Sequence, residues 1–381
     1  MISVKDASEI IQQKLALNSV VISEAITADR DYPPFDRVMM DGIAVSFATY
    51  EKGTRNFRIA GIQAAGYAAL NLSDATQCFE VMTGAPLPLN TDLVIPYEHL
   101  ELANGEARII KDLARQKMEN IHLKGSDCLK GQLVLNAKTF LNGPHQGIAA
   151  SMGINPKLTQ SSRILIISTG DELVEIEQMP LEHQIRRSNA YALKKSLELN
   201  GFDQINLAHL NDDPQMVADH YIKMTSEYDV MIYSGGVSKG KFDYLPNVWT
   251  DLGVTKHFHE VAQRPGKPLW FGTDEKNKTT VIGLPGNPVS SLVCLHRYVI
   301  PSKEMFARLS EEITFTKDLT FFVPVKIHYK NDGSVWAQPL KIKNSGEFTA
   351  LAESDGFIEL PAEKSTFSTG EAFRFWPWRS V

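Results

Sequence analysis

At 381 residues the chain is longer than one hydrophobic core usually organises, so about two to four domains are expected. Hydrophobic residues make up 43% and charged residues 22%, the balance of a soluble globular protein, and no stretch reaches the ~18 uncharged apolar residues of a membrane span. A net charge of −6 argues against a general nucleic-acid surface, Lys5, Asp6 and Glu9 stand where a signal peptide would be apolar, and three scattered cysteines without a Cys-x-x-Cys pair indicate neither a disulfide framework nor a zinc site. The expectation is a cytoplasmic protein that engages neither membrane nor nucleic acid.

Ser3 with Asp6 three residues on has the form of a capping box, and Val4, Ala7, Ile10, Ile11 and Leu15 fall on one helical face, so a helix of about 14 residues opens the chain. After a short strand at Val20–Glu24, the run Arg30 to Val45 carries Pro33 and Pro34, which hold the backbone extended, and then an Asp41-Gly42 pair that reads as a turn. Between Phe57 and Leu135 short β-type runs alternate with glycines, which indicates a small β domain; Met82-Thr-Gly-Ala-Pro-Leu-Pro88 follows one of its strands. Gly143 to Ala150 reads as a short helix returning to the first segment. The β domain is therefore an insertion: residues 46–135 lie within an elongated N-terminal region formed by 1–45 and 136–160.

Regular strand–helix alternation begins at Arg163. Ile164–Ile167, Ile205–Leu210, Asp229–Tyr233 and Thr280–Ile282 are apolar strands, Ser188–Asn200 is a helix stopped by Gly201, and Asn211-Asp-Asp-Pro214 opens another. A parallel α/β sheet domain over 161–306 follows. From 307 to 381 the pattern is β again, enough for a small C-terminal barrel, with Phe373-Arg-Phe-Trp-Pro-Trp378 in the core of its last strand.

Strand ends in the sheet domain run into glycine loops: Thr169-Gly-Asp-Glu172, Ser234-Gly-Gly-Val-Ser238 and Leu284-Pro-Gly-Asn-Pro288. Asn287 is a favoured N-cap and Pro288 suits the first helical position, so the last loop feeds a helix N-terminus. Loops at the carboxyl edge of an open α/β sheet are where ligands bind. The polar residues there are Asp171, Glu172, Asp212, Asp213, Ser234, Ser238, Lys239, Lys241, Asp243, Arg264, Lys267, Asn287 and Ser290. Cations and loop N–H groups suit a phosphate or tetrahedral oxyanion, and the carboxylates suit a hard divalent ion such as Mg²⁺. The competing reading is a surface ion-pair network, which contributes only ~0–1 kcal/mol per pair and gives no reason for so many such residues on glycine loops.

These motifs in this order resemble the molybdopterin molybdenumtransferases, called MoeA in bacteria and represented in animals by the C-terminal domain of gephyrin. The likeness lies in Pro34-Phe35-Asp36 with Met40-Asp41-Gly42, Thr83-Gly-Ala-Pro86, Ser168-Thr-Gly-Asp-Glu-Leu173, Ser234-Gly-Gly-Val-Ser238 with Asp243, Arg264-Pro-Gly-Lys-Pro268, and Gly283-Leu-Pro-Gly-Asn-Pro288. It implies an elongated homodimer and transfer of molybdate into the dithiolene of adenylylated molybdopterin, with Mg²⁺ present and AMP released. It also implies functional roles for Asp41, Thr83, Glu172 and Asp243, ligand contacts from Ser234, Gly235, Gly236, Ser238, Arg264, Lys267, Pro285, Gly286, Asn287 and Pro288, and metal ligands among Glu172, Asp212, Asp213 and Asp243. Departures occur at Val38-Met39, where the family commonly has Ser-Ala, at Ile43, where Tyr is frequent, and at Arg264, where Lys is frequent and a planar fork replaces a point charge. Two other readings are molybdopterin adenylylation, whose enzyme resembles only the sheet domain, and a gephyrin-like scaffold. Because Asp41 and Thr83 are far in sequence from the sheet loops, a two-fold dimer with sites completed in trans is the expected arrangement.

Overall fold

The computed structural model describes residues 1–238, 240, 243–341 and 344–379; Lys239 and Lys241, counted above among the rim cations, lie outside them. The chain forms two compact units, Val21–Leu158 and Met1–Val20 with Thr159–Val381. Helix α1 (Val4–Lys14) carries the expected capping box: Asp6 N–H donates to Ser3 Oγ at 3.1 Å and Ser3 N–H to Asp6 Oδ2 at 3.4 Å. Its buried residues Val4, Ala7 and Ile11 enter the core that also holds Ile164 and Ile166, so the helix belongs to the sheet-bearing unit.

The unit Val21–Leu158 contains strands β1 (Gly42–Val45), β2 (Asn56–Gln63), β3 (Gln77–Val81), β4 (Leu93–Pro96), β5 (Leu100–Ala103) and β6 (Glu106–Ile109). They form one sheet in the order β4-β1-β3-β2-β6-β5. Strand β1 pairs antiparallel with both neighbours, and all four of its residues are buried. Gly42 is not a turn residue here. A Cβ at that position would lie 2.0 Å from Ile95 O, so only glycine lets β1 approach β4, and Asp41 is thereby fixed at the strand entrance. Asn104 and Gly105, both at positive φ, make the tight β5–β6 hairpin turn. Helix α2 (Gly143–Ser151) completes this unit, its Ala149 packed with Ile22, Ile26 and Leu135.

The other unit holds β7 (Ile164–Thr169), α3 (Ser188–Leu199), β8 (Ile205–Leu210), α4 (Pro214–Met224), β9 (Val230–Ser234), α5 (Leu245–Asp251), β10 (Thr255–His259), β11 (Trp270–Asp274), β12 (Thr279–Leu284) and α6 (Pro288–Cys294). The sheet order is β8-β7-β9-β12-β11-β10. Alternate side chains of each central strand enter opposite layers. Ile164, Ile166, Ile232 and Ile282 pack against α1, α3 and α6, while Leu165, Ile167, Tyr233 and Val281 pack against α4 and α5 with Trp249 and Trp270. Strands buried on both faces explain the continuous apolar runs read from the sequence. Strands β8, β7, β9 and β12 are parallel, whereas β11 runs antiparallel to both its neighbours, β12 and β10. Only residues 275–278 link β11 to β12, far too few for a crossover, so the pair is a hairpin.

Strands β13 (Met305–Leu309), β14 (Thr320–Tyr329), β15 (Val335–Pro339), β16 (Gly356–Leu360) and β17 (Ala372–Pro377) close a ring in the order β14-β15-β13-β17-β16, with β16 returning to β14. Leu309, Val325, Ala337, Ile358, Leu360 and Phe375 fill this five-stranded barrel. The aromatic tail divides its duty: Phe375 faces the barrel core, and Trp376 packs with Phe322, Phe357 and Tyr298 in the core shared with the sheet.

Candidate functional site

Strand β8 follows β7 on one side of the sheet and β9 flanks β7 on the other, so the loops after β7 and β9 diverge and leave a crevice at the strands' carboxyl ends. A cleft of about 590 Å³ occupies that place. Ser168 to Gly170 and Glu172 line it from β7, Asp212 from β8, Ser234 to Ser238 and Asp243 from β9, and Pro285 to Pro288 from β12. The three expected glycine loops and the β8 loop therefore do converge.

Two glycines of these loops hold backbone conformations that a side chain would strain. Gly235 has φ +105°, and a Cβ there would lie 2.9 Å from Thr169 O; Gly170 has φ +144°, and its Cβ would meet Glu172 Oε2 at 2.4 Å. Gly235 N–H is already used, donating to Leu284 O at 3.2 Å. Asn287 stands at the N-cap of α6, yet its side chain makes no capping bond; Asn287 Nδ2 donates instead to Ser345 Oγ at 2.8 Å, while Pro288 holds the expected first helical position.

The carboxylates separate into two kinds. Asp213 Oδ1 accepts from the N–H groups of Gln215 and Met216 at 2.8 and 3.0 Å, so this residue is the N-cap of α4 and not a residue lining the cleft. Glu172, Asp212 and Asp243 all line the cleft. Burial, reinforced by the negative charges of Asp171, Glu172 and Asp243, pushes the Asp212 carboxyl above the usual carboxylate range. Asp243 accepts from Gly240 N–H at 2.5 Å, which fixes its carboxylate within its own loop. Among the described residues no three His, Cys, Asp or Glu side chains form a ready-made metal cluster. The set still fits Mg²⁺, which keeps several waters and takes one or two carboxylates together with ligand phosphates.

The cations differ from the sequence expectation. Arg264 pairs through its backbone with β14 and sits 6.0 Å from the Phe315 ring centroid, and Lys267 Nζ lies 3.8 Å from Glu260 Oε1; neither lines the cleft, although the adjoining Pro268 does. The short strand Gln263–Arg264 is annexed by the barrel, which draws the Arg264 side chain away. Arg186 and Arg187 line the cleft in their place. Arg187 is buried and paired with Glu175 at 2.9 Å. Arg186 Nε donates to the carbonyls of Ile176 and Gln178 at 2.9 and 3.1 Å, which aims a guanidinium whose Nη groups carry four further N–H donors. Ser188 and Asn189 follow on the first turn of α3 and also line the cleft. Sequence reading passed over all four, although Arg-Arg-Ser-Asn ahead of an amphipathic helix is a recognisable helix start beside an anion site.

In the other unit, Asp41 and Thr83 are joined. Thr83 N–H and Oγ1–H both donate to Asp41 Oδ1, at 2.6 and 2.7 Å. The backbone bond, followed by the hydroxyl bond, lowers the Asp41 carboxyl below its ordinary range and keeps it ionised. Tyr97 N–H donates to Asp41 O at 3.1 Å, and Tyr97 Oη bonds Glu80 at the same end of the sheet.

Residues 2–153 match the family described as MoeA N-terminal region (domain I and II), 165–304 the probable molybdopterin binding domain, and 307–378 the MoeA C-terminal region (domain IV). The chain is 54% identical to a molybdopterin molybdenumtransferase of Synechocystis sp., over 94% of this chain and 92% of that protein. It is 30% identical to one of Haemophilus influenzae, over 95% and 92%. A crystal structure of the molybdopterin biosynthesis MoeA protein from Pyrococcus horikosii superposes with a TM-score of 0.78 at 25% identity, covering 100% of both chains.

Proposed function

The chain belongs to the MoeA family, transferases of molybdenum cofactor biosynthesis, and from that premise we propose that its cleft takes adenylylated molybdopterin and that molybdate enters the dithiolene there as AMP is released. The observation that supports this most is the meeting of three glycine loops, an aimed arginine and three carboxylates in one crevice at the sheet's switch point. Glycines at 170, 235 and 286 let a phosphate approach the backbone, and Arg186 supplies charge-assisted bonds to it. Glu172, Asp212 and Asp243 are the residues that would hold Mg²⁺, which when bound neutralises charge at the adenylate phosphate and its leaving bond.

Each molybdate oxygen that gives way to a dithiolene sulfur leaves as water, so proton donors must stand near the oxyanion. With Mg²⁺ bound, Asp212 is an ionised ligand and does not supply that proton; in the metal-free cleft its raised pKa lets it take up a proton more readily than an ordinary aspartate. Asp41, ionised and fixed by Thr83, serves the same reaction in our proposal, in which the protein acts as a cytoplasmic homodimer. No helix among the described residues is long and apolar enough to cross a membrane. The test is molybdate-dependent AMP release: Asp243→Asn should fold normally and lose most of it across a Mg²⁺ titration. Wild-type release rates from Asp243→Asn would reject the assignment.

A further inference from the structure

We infer that Asn189 is a positioning residue that ties two glycine loops across the cleft and turns the Ser234 hydroxyl into a hydrogen-bond donor for the substrate's phosphate. The inference deepens the proposed function and rests on it for the identity of the ligand. Asn189 sits on the first turn of α3, a helix of 12 residues. Its side-chain nitrogen donates to Ser234 Oγ at 3.0 Å and to Gly286 O at 2.7 Å. An amide nitrogen carries two hydrogens, so both are spent, one on Ser234 at the end of β9 and one on the loop after β12. The two loops are close enough for such a tie, since a Cβ on Gly286 would find Gly235 Cα at 3.6 Å.

The consequence lies at Ser234. A hydroxyl has one proton and two lone pairs; with Asn189 donating into a lone pair, the proton must go to another acceptor. Ser234 is 3% exposed and lines the cleft, so that acceptor belongs to whatever fills the cleft. Next to it, Ser168 pairs with Ser234 in register across the sheet, and the buried Ser168 Oγ and Thr169 Oγ1, which line the same cleft, have no hydrogen-bond partner among the described residues. Buried hydroxyls are ordinarily bonded, so Ser168, in register with Ser234, is a second hydroxyl at the strand ends available to an oxyanion. Replacing the Asn189 amide by an acceptor would reverse the Ser234 proton, which would then point to residue 189 and away from the ligand.

The probe is AMP, with adenosine as the control that lacks the phosphate, each titrated calorimetrically into wild type, Asn189→Ala, Asn189→Asp, Ser234→Ala and the double variant Asn189→Ala/Ser234→Ala. Loss of one hydrogen bond to an ionised group weakens AMP binding by roughly tenfold or more, so each single variant should show that loss, the double variant no further loss, and Asn189→Asp the largest. Adenosine affinity should stay within about twofold throughout. Asn189→Asp keeps the size of the side chain, so it decides the matter should the alanine variant fail to fold. Wild-type AMP affinity in Asn189→Asp, equal losses for AMP and adenosine, multiplicative losses in the double variant, or wild type without measurable AMP binding would each overturn the inference. The proposed reaction is judged separately: AMP binding that follows this pattern in a protein without molybdate-dependent AMP release would leave the tie standing and reject the reaction.

Discussion

Two glycines on facing loops should respond to alanine in opposite ways, and the difference can be worked from the backbone. Gly235 lies at φ +105°, where a side chain is strained, and its Cβ would sit 2.9 Å from Thr169 O and 3.0 Å from Thr169 Oγ1. The first contact is with backbone at a strand end, which cannot rotate away. Residues held in such conformations cost about 1–3 kcal/mol, and for a domain of this size that lowers the melting temperature by about 2–12 °C. Gly286 is exposed, and a Cβ there meets only Gly235 Cα at 3.6 Å, an ordinary contact. Gly286→Ala should therefore stay within about 0.5 kcal/mol of wild-type stability. Its methyl group instead occupies the cleft, where a displacement of the ligand by about 1 Å can cost up to about a hundredfold in kcat/KM. Differential scanning calorimetry and molybdate-dependent AMP release measured side by side separate the two effects. A Gly235→Ala protein that melts with wild type, or a Gly286→Ala protein that loses stability but not activity, would refute the reading of these loops.

Three further outcomes are expected. The folded state raises the Asp212 pKa, so stability from this group is present below its unfolded pKa and is lost as pH climbs through the folded value, above which the ionised carboxylate opposes folding. Asp212→Asn should therefore melt higher than wild type without divalent ions and gain less from added Mg²⁺, and equal Mg²⁺-dependent shifts would remove Asp212 from the proposed ion site. Arg186→Ala should weaken AMP binding and flatten its salt dependence, whereas Arg264→Ala, whose side chain does not line the cleft, should change calorimetric AMP affinity less; the reverse order would restore the cation assignment drawn from the sequence. Asp41→Asn and Asp243→Asn are each expected to be inactive, and heterodimers of the two, isolated through different tags, should regain part of the activity if the protein is a homodimer with sites completed in trans; heterodimers as inactive as either parent would end that proposal.

Much of this architecture was legible because local signals agreed with the fold. The Ser3–Asp6 capping box, the buried strand Ile164–Thr169, Pro288 at the start of α6 and Gly201 after α3 all stand where residue chemistry put them. What failed to show in the sequence depended on distant partners. The Asp41-Gly42 pair has the composition of a turn, but the 2.0 Å between a Cβ at Gly42 and Ile95 O concerns a strand 50 residues on, which no local pattern reveals. The antiparallel β11–β12 hairpin was missed because both strands are buried on both faces and so lack the alternation that usually marks antiparallel pairing. Asp213 could have been read correctly, since Asp-Pro ahead of a helical pattern is an N-cap followed by a first-turn proline.

The cations teach a separate lesson about motifs. Arg264-Pro-Gly-Lys-Pro268 is a motif, and a motif does not state which way its side chains point. In the fold, Gln263 is buried beneath it: Gln263 Nε2 donates to Pro265 O at 3.2 Å and Gly266 O at 3.1 Å, and Cys294 Sγ would lie 2.5 Å from a Cβ on Gly266. That anchoring, together with the pairing to β14, holds the loop against the barrel, so only Pro268 reaches the cleft. The cleft then contains Glu172, Asp212 and Asp243 against Arg186 and an Arg187 already paired with Glu175, an acidic balance among the described residues. An acidic crevice repels a phosphate unless a divalent cation offsets it, and the Asp212 pKa, raised first by burial, is raised further by the carboxylates of Asp171, Glu172 and Asp243. On the proposed function, affinity for AMP should therefore rise with Mg²⁺ in wild type, and this dependence should weaken in Asp212→Asn, where the repulsion and the ion site are reduced together.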